Sequence, residues 1–233
     1  MGNDVMGLEE LATYLHRDVR EVSKMASRGY LPGQKVGGEW RFLRVEINHW
    51  LEGQLAGYDE QQLTALEAAG ERNPEYEPLL AEYLSEASVA VPLAASTKVS
   101  ALRELVVLAE RSWQVYDPPA LLEAIRQREE MGSTALPSGV AIPHPHRPLP
   151  SILGEPVIAY GRTASGIPFG AERGELTDVF FLVACRDDRT HLRVLARLSR
   201  LLLRPGFLDE LRAAETPGET FELIVKEERE LLS

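Results

Sequence analysis

From residue 78 onward the sequence predicts an α/β domain with a sheet covered by helices, and residues 1–55 predict a small helical module with a hairpin before its closing helix. Three observations carry this. Apolar runs of strand length at 89–93, 139–142, 156–160 and 178–184 alternate with stretches of helical period. The first 55 residues hold short amphipathic patterns and then Gly37-Gly38 between two extended pieces. Residues 56–77 carry one Lys/Arg against six Asp/Glu and separate the two regions as an acidic linker with a short helical middle around Leu63 and Leu66.

Composition narrows the function classes. A chain of 233 residues that is 44% hydrophobic and 26% charged is an ordinary globular protein. No apolar run approaches the roughly 18 residues that span a bilayer. Met1-Gly-Asn-Asp lacks the basic and apolar regions of a signal peptide, so a cytoplasmic protein without membrane partners is expected. The single cysteine, Cys185, excludes an internal disulfide framework and a cysteine zinc site; within Phe180-Phe-Leu-Val-Ala-Cys185 it reads as strand core. The net charge of −11 argues against indiscriminate binding to nucleic acid, but a local basic face can still engage phosphates.

In chain order, Leu8, Leu11, Ala12 and Leu15 recur at i, i+3, i+4, i+7 as one short helix. Asp18 is the expected N-cap of a second helix that runs to about Arg28 and stops at Gly29. Val19, Val22 and Ala26 are expected to face inward on it, while Arg17, Arg20, Lys24 and Arg28 share an exposed face. The hairpin adds Lys35, Arg41 and Arg44, and a third helix at about 45–51 returns Ile47, Trp50 and Leu51 to the core. Further on, Ser96-Thr97 caps a helix with Val99, Leu102, Leu105, Val106 and Ala109 as its apolar stripe, and Asp117-Pro-Pro opens another that reaches Glu130. Two more helices are expected at the end of the chain.

The chemistry concentrates after the strand at 139–142. Pro143 and Pro145 hold His144 between two restricted φ angles, on a stiff loop where the chain leaves the sheet, and His146 follows. Arg128 lies at the end of the preceding helix. Thr190 is expected to cap a long amphipathic helix with His191 as its first residue, where free amides and the positive dipole end favour an anion. Two imidazoles, a guanidinium and a helix N-terminus suit a phosphate. Zinc is not expected, because no acidic or thiol partner stands at ligand spacing, and neither a nucleophile elbow nor a Gly-rich nucleotide loop is present. No cofactor is expected.

Two resemblances follow from these residues. Leu8-Glu-Glu-Leu-Ala-Thr-Tyr-Leu15, Gly29-Tyr-Leu-Pro32 and Trp40-Arg-Phe42 resemble the excisionase and MerR-type winged helix-turn-helix over about residues 5–55. That resemblance implies DNA binding through Arg17, Arg20, Lys24, Arg28, Lys35 and Arg41, with the second helix in the major groove and the hairpin on the phosphates. It leaves a homodimer open, since such proteins often read paired half-sites.

Residues 120–134, Gly139-Val-Ala-Ile-Pro-His144 and residues 191–202 resemble the enzyme IIA domain of the fructose, mannitol and nitrogen-regulatory branch of the phosphotransferase system, over about residues 78–230. The resemblance implies an α/β (α+β) fold with a mixed sheet covered by helices, and an HPr-type phosphocarrier protein as partner. By it His144 is the residue phosphorylated on a ring nitrogen, His191 hydrogen-bonds the phosphoryl oxygens or the ring, Arg128 neutralises their charge, and Ser133 and Thr134 line the pocket. Such a protein is a phosphohistidine carrier rather than a turnover enzyme. The family commonly follows the histidine with a small and then a basic residue, whereas Pro145 and His146 follow here; Pro145 removes an amide N–H that could face a phosphate, so that both a working and a slowed or lost phosphorylation stay open. The expected division is 1–55 DNA-binding, 56–77 linker and 78–233 enzyme IIA type. The expected function is a phosphorylation-responsive DNA-binding regulator, the alternatives being a carrier that passes phosphate toward a sugar permease or a sensor that is not phosphorylated.

Overall fold

The computed structural model describes residues 5–15, 17–55, 57–68 and 79–233. His16, residues 56 and 69–77 of the expected linker, and residue 78 lie outside the described residues.

The N-terminal part runs β1 (Val5–Met6), α1 (Leu8–Tyr14), α2 (Val19–Ser27), β2 (Gln34–Val36), β3 (Glu39–Leu43), α3 (Arg44–Leu55). Its three strands form an antiparallel sheet in the order β1-β3-β2. Asp18 caps α2 as expected, its carboxylate accepting the Arg20 amide at 2.8 Å. Gly37 and Gly38 take φ of +61° and +87° between paired Val36 and Glu39, the two-residue turn that requires positive φ at both positions. Val22 and Ala26 are buried, but Val19, in the first turn of α2, is 38% exposed, because that turn overhangs the core. Helix α3 reaches four residues past the expected Leu51, and those residues matter for the site.

Among the described residues of the linker, α4 (Glu60–Ala68) packs along the C-terminal part. Leu63 is fully buried in the same core cluster as Leu55, Val194 and Leu198, a burial that contributes about 1.5–3 kcal/mol. The Glu67 carboxylate accepts from Arg197 Nε at 2.5 Å and from Arg200 Nη1 at 2.8 Å.

The C-terminal part runs α5 (Leu80–Tyr83), β4 (Leu84–Ala90), α6 (Lys98–Glu110), α7 (Pro118–Glu130), β5 (Val140–Ala141), β6 (Val157–Ile167), β7 (Thr177–Ala184), α8 (Asp188–Leu203), α9 (Phe207–Ala213), α10 (Pro217–Leu231). Its four-stranded sheet has the order β4-β6-β7-β5; β4 and β6 are parallel, β6 and β7 antiparallel, β5 and β7 parallel. This is the expected mixed sheet. One core cluster packs α6 and α7 on one face and the other packs α8, α9 and α10 on the opposite face, so β6 and β7 are buried on both sides.

Three sequence expectations change here. Val99 is 57% exposed and stands outside the buried stripe of α6, which begins at Ala101 and Leu102. Three helices rather than two end the chain. Asp187, not Thr190, caps α8: its carboxylate accepts both the Thr190 amide and the Thr190 hydroxyl at 2.8 Å, and an ionised acceptor outcompetes a hydroxyl at a helix N-terminus. His191 therefore sits one turn inside α8, with its amide donated to the Asp187 carbonyl. No described helix is long and apolar enough to cross a membrane.

Candidate active site

The loop that carries His144 is held at both ends. Gly139 has φ +81°, and a Cβ there would approach Arg212 Nη2 to 2.7 Å, so the entry into β5 needs glycine. Ile142 donates its amide to the Thr134 carbonyl at 3.2 Å, and the Pro143 carbonyl accepts the Val183 amide at 3.0 Å. The prolines before and after His144 then leave the ring little freedom, and it is 4% exposed.

The ring's tautomer follows from its partner. Nδ1 lies 2.7 Å from the Ile142 carbonyl oxygen, which can only accept, so Nδ1 carries the proton and Nε2 keeps its lone pair. Burial lowers the His144 pKa below its ordinary value of 6.5 against the opposing pull of Glu52. At neutral pH the ring is thus an uncharged base, and His144 lines a cleft of about 770 Å³.

His191 and Arg128 converge on the same point. The two imidazole centroids are 5.0 Å apart at 53°. Arg128, 6% exposed at the end of α7, anchors Nη1 on the Gly132 carbonyl at 3.0 Å and leaves Nη2 for the cleft. Ser133 and Thr134 both line the cleft, but their hydroxyls are used elsewhere. Ser133 donates to the Phe169 carbonyl at 3.2 Å, and Thr134 bonds the buried Glu129, which Lys98 also meets at 2.7 Å. His146 is half-buried and meets His49 edge-on, with centroids 5.6 Å apart.

One member of the site has no counterpart among the residues expected from sequence: Glu52, in the last turn of α3. Its side chain is 5% exposed, with Oε1 3.1 Å from His191 Nε2 and Oε2 3.2 Å from His144 Nε2 and 3.3 Å from Arg128 Nη2. Burial alone would raise its carboxyl, but the imidazoles of His144, His191 and His49 outweigh burial and hold it well below the usual carboxylate range. Because the only proton on the neutral His144 ring is committed to Ile142, the groups left to face Glu52 as donors at neutral pH are His191, Arg128 and, at 3.5 Å, His49. His144 Nε2 makes no hydrogen bond among the described residues.

No acidic partner stands at ligand spacing from the two imidazoles along the sequence; the fold brings one to them from the N-terminal part. Glu52, His144 and His191 place one ligand atom each within 4.8 Å of one another. The Arg128 guanidinium beside Oε2 opposes a divalent cation there and favours an anion. A first-turn helix amide at His191, expected from sequence, is not part of the site.

The basic face named from sequence is assembled in part. Arg20, Lys24 and Arg28 are exposed on α2 and carry no ion pair among the described residues. Arg17 is half-buried and pairs with Glu21, Arg41 pairs with Glu39 at 2.6 Å, and Lys35 lies over the Trp40 ring at 5.1 Å.

Comparison with known proteins agrees with both parts of the chain. Residues 82–227 match the family model of the phosphoenolpyruvate-dependent sugar phosphotransferase system, EIIA 2, and residues 5–55 match a helix-turn-helix domain model. A nitrogen regulatory protein of Bradyrhizobium diazoefficiens is 36% identical over 126 residues, covering 52% of this chain and 78% of its own length. The fructose-specific EIIABC component of Bacillus subtilis is 29% identical over 147 residues, 62% of this chain but 23% of that protein. Among solved structures, the nitrogen regulatory protein IIA-Ntr of Neisseria meningitidis superposes with a TM-score of 0.57 at 23% identity, over 63% of this chain and 99% of that one. The Escherichia coli IIA mannitol structure does so with 0.53 at 20% identity, over 60% and 97%.

Proposed function

Since the chain belongs to the EIIA 2 family of the phosphoenolpyruvate-dependent sugar phosphotransferase system and carries a helix-turn-helix domain in front of it, we propose that it is a phosphorylation-responsive regulator whose acceptor is Nε2 of His144. The observation that carries this reading is the fixed tautomer: Nδ1–H is bound to the Ile142 carbonyl, and the bare Nε2 lone pair faces a site already furnished with His191 and Arg128.

The step needs alignment and charge stabilisation more than covalent assistance. The Nε2 lone pair of His144 attacks phosphorus on a phosphohistidine of an HPr-type carrier. A new N–P bond forms as the donor's N–P bond breaks, and the electron pair returns to the donor ring, which leaves as a neutral imidazole. Positive charge passes to the His144 ring, where the Ile142 carbonyl accepts from Nδ1–H. His191 Nε2–H and the Arg128 guanidinium then hold the phosphoryl oxygens, as they hold a carboxylate in the structure. The amide that Pro145 lacks is not needed in this arrangement, since donors come from side chains. The step calls on no metal or nucleotide.

The regulatory half of the proposal rests on the exposed Arg20, Lys24 and Arg28 of α2, the helix that a helix-turn-helix domain places in the DNA major groove. We take residues 1–55 as this module, 78–233 as the enzyme IIA part and the segment between as their connection, inside the cytoplasm.

Incubation with phosphoenolpyruvate, enzyme I and an HPr-type carrier tests the acceptor. Intact mass is expected to show one acid-labile phosphate, located on His144 by fragmentation; His144→Ala abolishes it and Arg128→Ala slows it at least tenfold. Label on His146 in the His144→Ala protein overturns the assignment.

A further inference from the structure

Glu52 lies where a phosphoryl group bound to His144 has to lie. An atom that reacts with Nε2 must approach along its lone pair to about 3–3.5 Å before bonding. Oε2 of Glu52 stands 3.2 Å from Nε2, and its two oxygens take the His191 and Arg128 donors that phosphoryl oxygens would use. One anion already takes the His191 and Arg128 donors that stand closest to Nε2.

We propose that this site is a carboxylate seat whose occupant is the chain's own Glu52, so that docking of the N-terminal module and phosphorylation of His144 exclude each other. This rests on His144 being the phosphoryl acceptor. Phosphorylation brings a charge of about −1.5 to −2 against a buried carboxylate that holds the same His191 and Arg128 donors, and expels Glu52.

Expulsion moves more than one side chain. Glu52 is on the same helix as Ile47 and Leu51, which belong to the N-terminal core, and that core also takes in Leu192 from α8, one residue beyond His191. Three residues beyond Glu52, Leu55 packs in the C-terminal core. Helix α3 cannot withdraw Glu52 as a rigid rod without opening the contact around Leu192, so the charge state of His144 is converted into docking or release of the helix-turn-helix domain. Conversely, docking shields Nε2 from a donor, and free protein is phosphorylated only as fast as α3 lifts.

Hydrogen exchange and phosphorylation kinetics on the full chain test this with Glu52→Ala and the near-isosteric Glu52→Gln. Without any phosphoryl donor, Glu52→Ala is expected to lower protection of the α3 amides and of the Leu192–Leu195 amides at least tenfold; unchanged protection overturns the seat whatever His144 does. With enzyme I and the carrier, both variants are expected to be labelled at least tenfold faster than the unsubstituted protein, and equal rates overturn the exclusion. Phosphorylated protein is expected to show the exchange pattern of Glu52→Ala, and full labelling with an unchanged pattern overturns the release. If neither the protein nor its variants are labelled, the acceptor reading fails and takes the phosphate trigger with it. The donor-free exchange still decides whether Glu52 holds the module. Glu52→Gln, which keeps the side-chain volume, guards against a result caused by misfolding.

Discussion

Arg197 is the residue whose removal should cost the fold most, and the structure lets the cost be worked out. Its side chain is fully buried and pairs with Glu67 of α4, 3% exposed, and Glu228 of α10, which is fully buried. Glu228 in turn accepts the amides of Leu79, Leu80 and Ala81 at 2.8, 2.8 and 2.9 Å. Arg197→Met removes the cation but keeps much of the length of the side chain, leaving two buried carboxylates without the charge between them. Breaking a buried pair from one side costs about 3–5 kcal/mol. Glu67 retains Arg200 at 2.8 Å and Glu228 retains its three amides, so the cost should lie near the lower end, about 3 kcal/mol. At about 2–4 °C per kcal/mol for a chain of this size, the melting temperature falls by about 6–12 °C. Urea unfolding followed by circular dichroism measures it. A cost below about 1 kcal/mol, the value of an exposed pair, would refute the reasoning that this network is dry.

Three further outcomes are expected. Because burial lowers the His144 pKa below 6.5, the ring remains a free base on the acid side of that value. The phosphorylation rate of the His144 site should hold down to about pH 6.5 and fall only below it, provided the donor is kept saturating; stability should correspondingly rise with pH between the lowered folded value and the unfolded 6.5. A profile that halves at or above pH 7 would contradict it. On the DNA side, Arg20→Ala or Lys24→Ala should weaken operator binding and flatten the salt slope by about 0.9 for each phosphate no longer neutralised, read by titration at several salt concentrations. Cys185 is 3% exposed and burial pushes its thiol far up, so the folded protein should resist a thiol reagent that modifies one equivalent in urea.

Much of the site is legible in the sequence because its members announce themselves locally. His144 is bracketed by prolines after a strand, and Arg128 ends a helix whose cap, Asp117, and first-turn prolines are plain in the sequence. His191 is equally plain, but its expected place at the first residue of α8 is not the observed one, since Thr190 and Asp187 are both acceptable caps and only the observed bonds decide between them. The hydroxyls of Ser133 and Thr134 reach the cleft wall, yet their partners Phe169 and Glu129 lie on other segments, which no local pattern discloses. Glu52 carries no signal at all: one acid in the last turn of a helix reads as solvated charge.

What the amino-acid sequence determined by itself were the features that depend on near neighbours: the helix periods and caps, the Gly37-Gly38 turn, the alternation that yields a sheet covered by helices, and the stiff loop presenting His144. Tertiary structure alone decided that Leu63 and Glu67 of α4 are buried against α8, and that the chain's own Glu52 meets His144 and His191. The reason is separation along the chain: the Glu52 and His191 contact joins positions 139 residues apart. Such a contact is set by how two apolar surfaces fit and which charges burial forces into pairs, quantities that have no period and no motif.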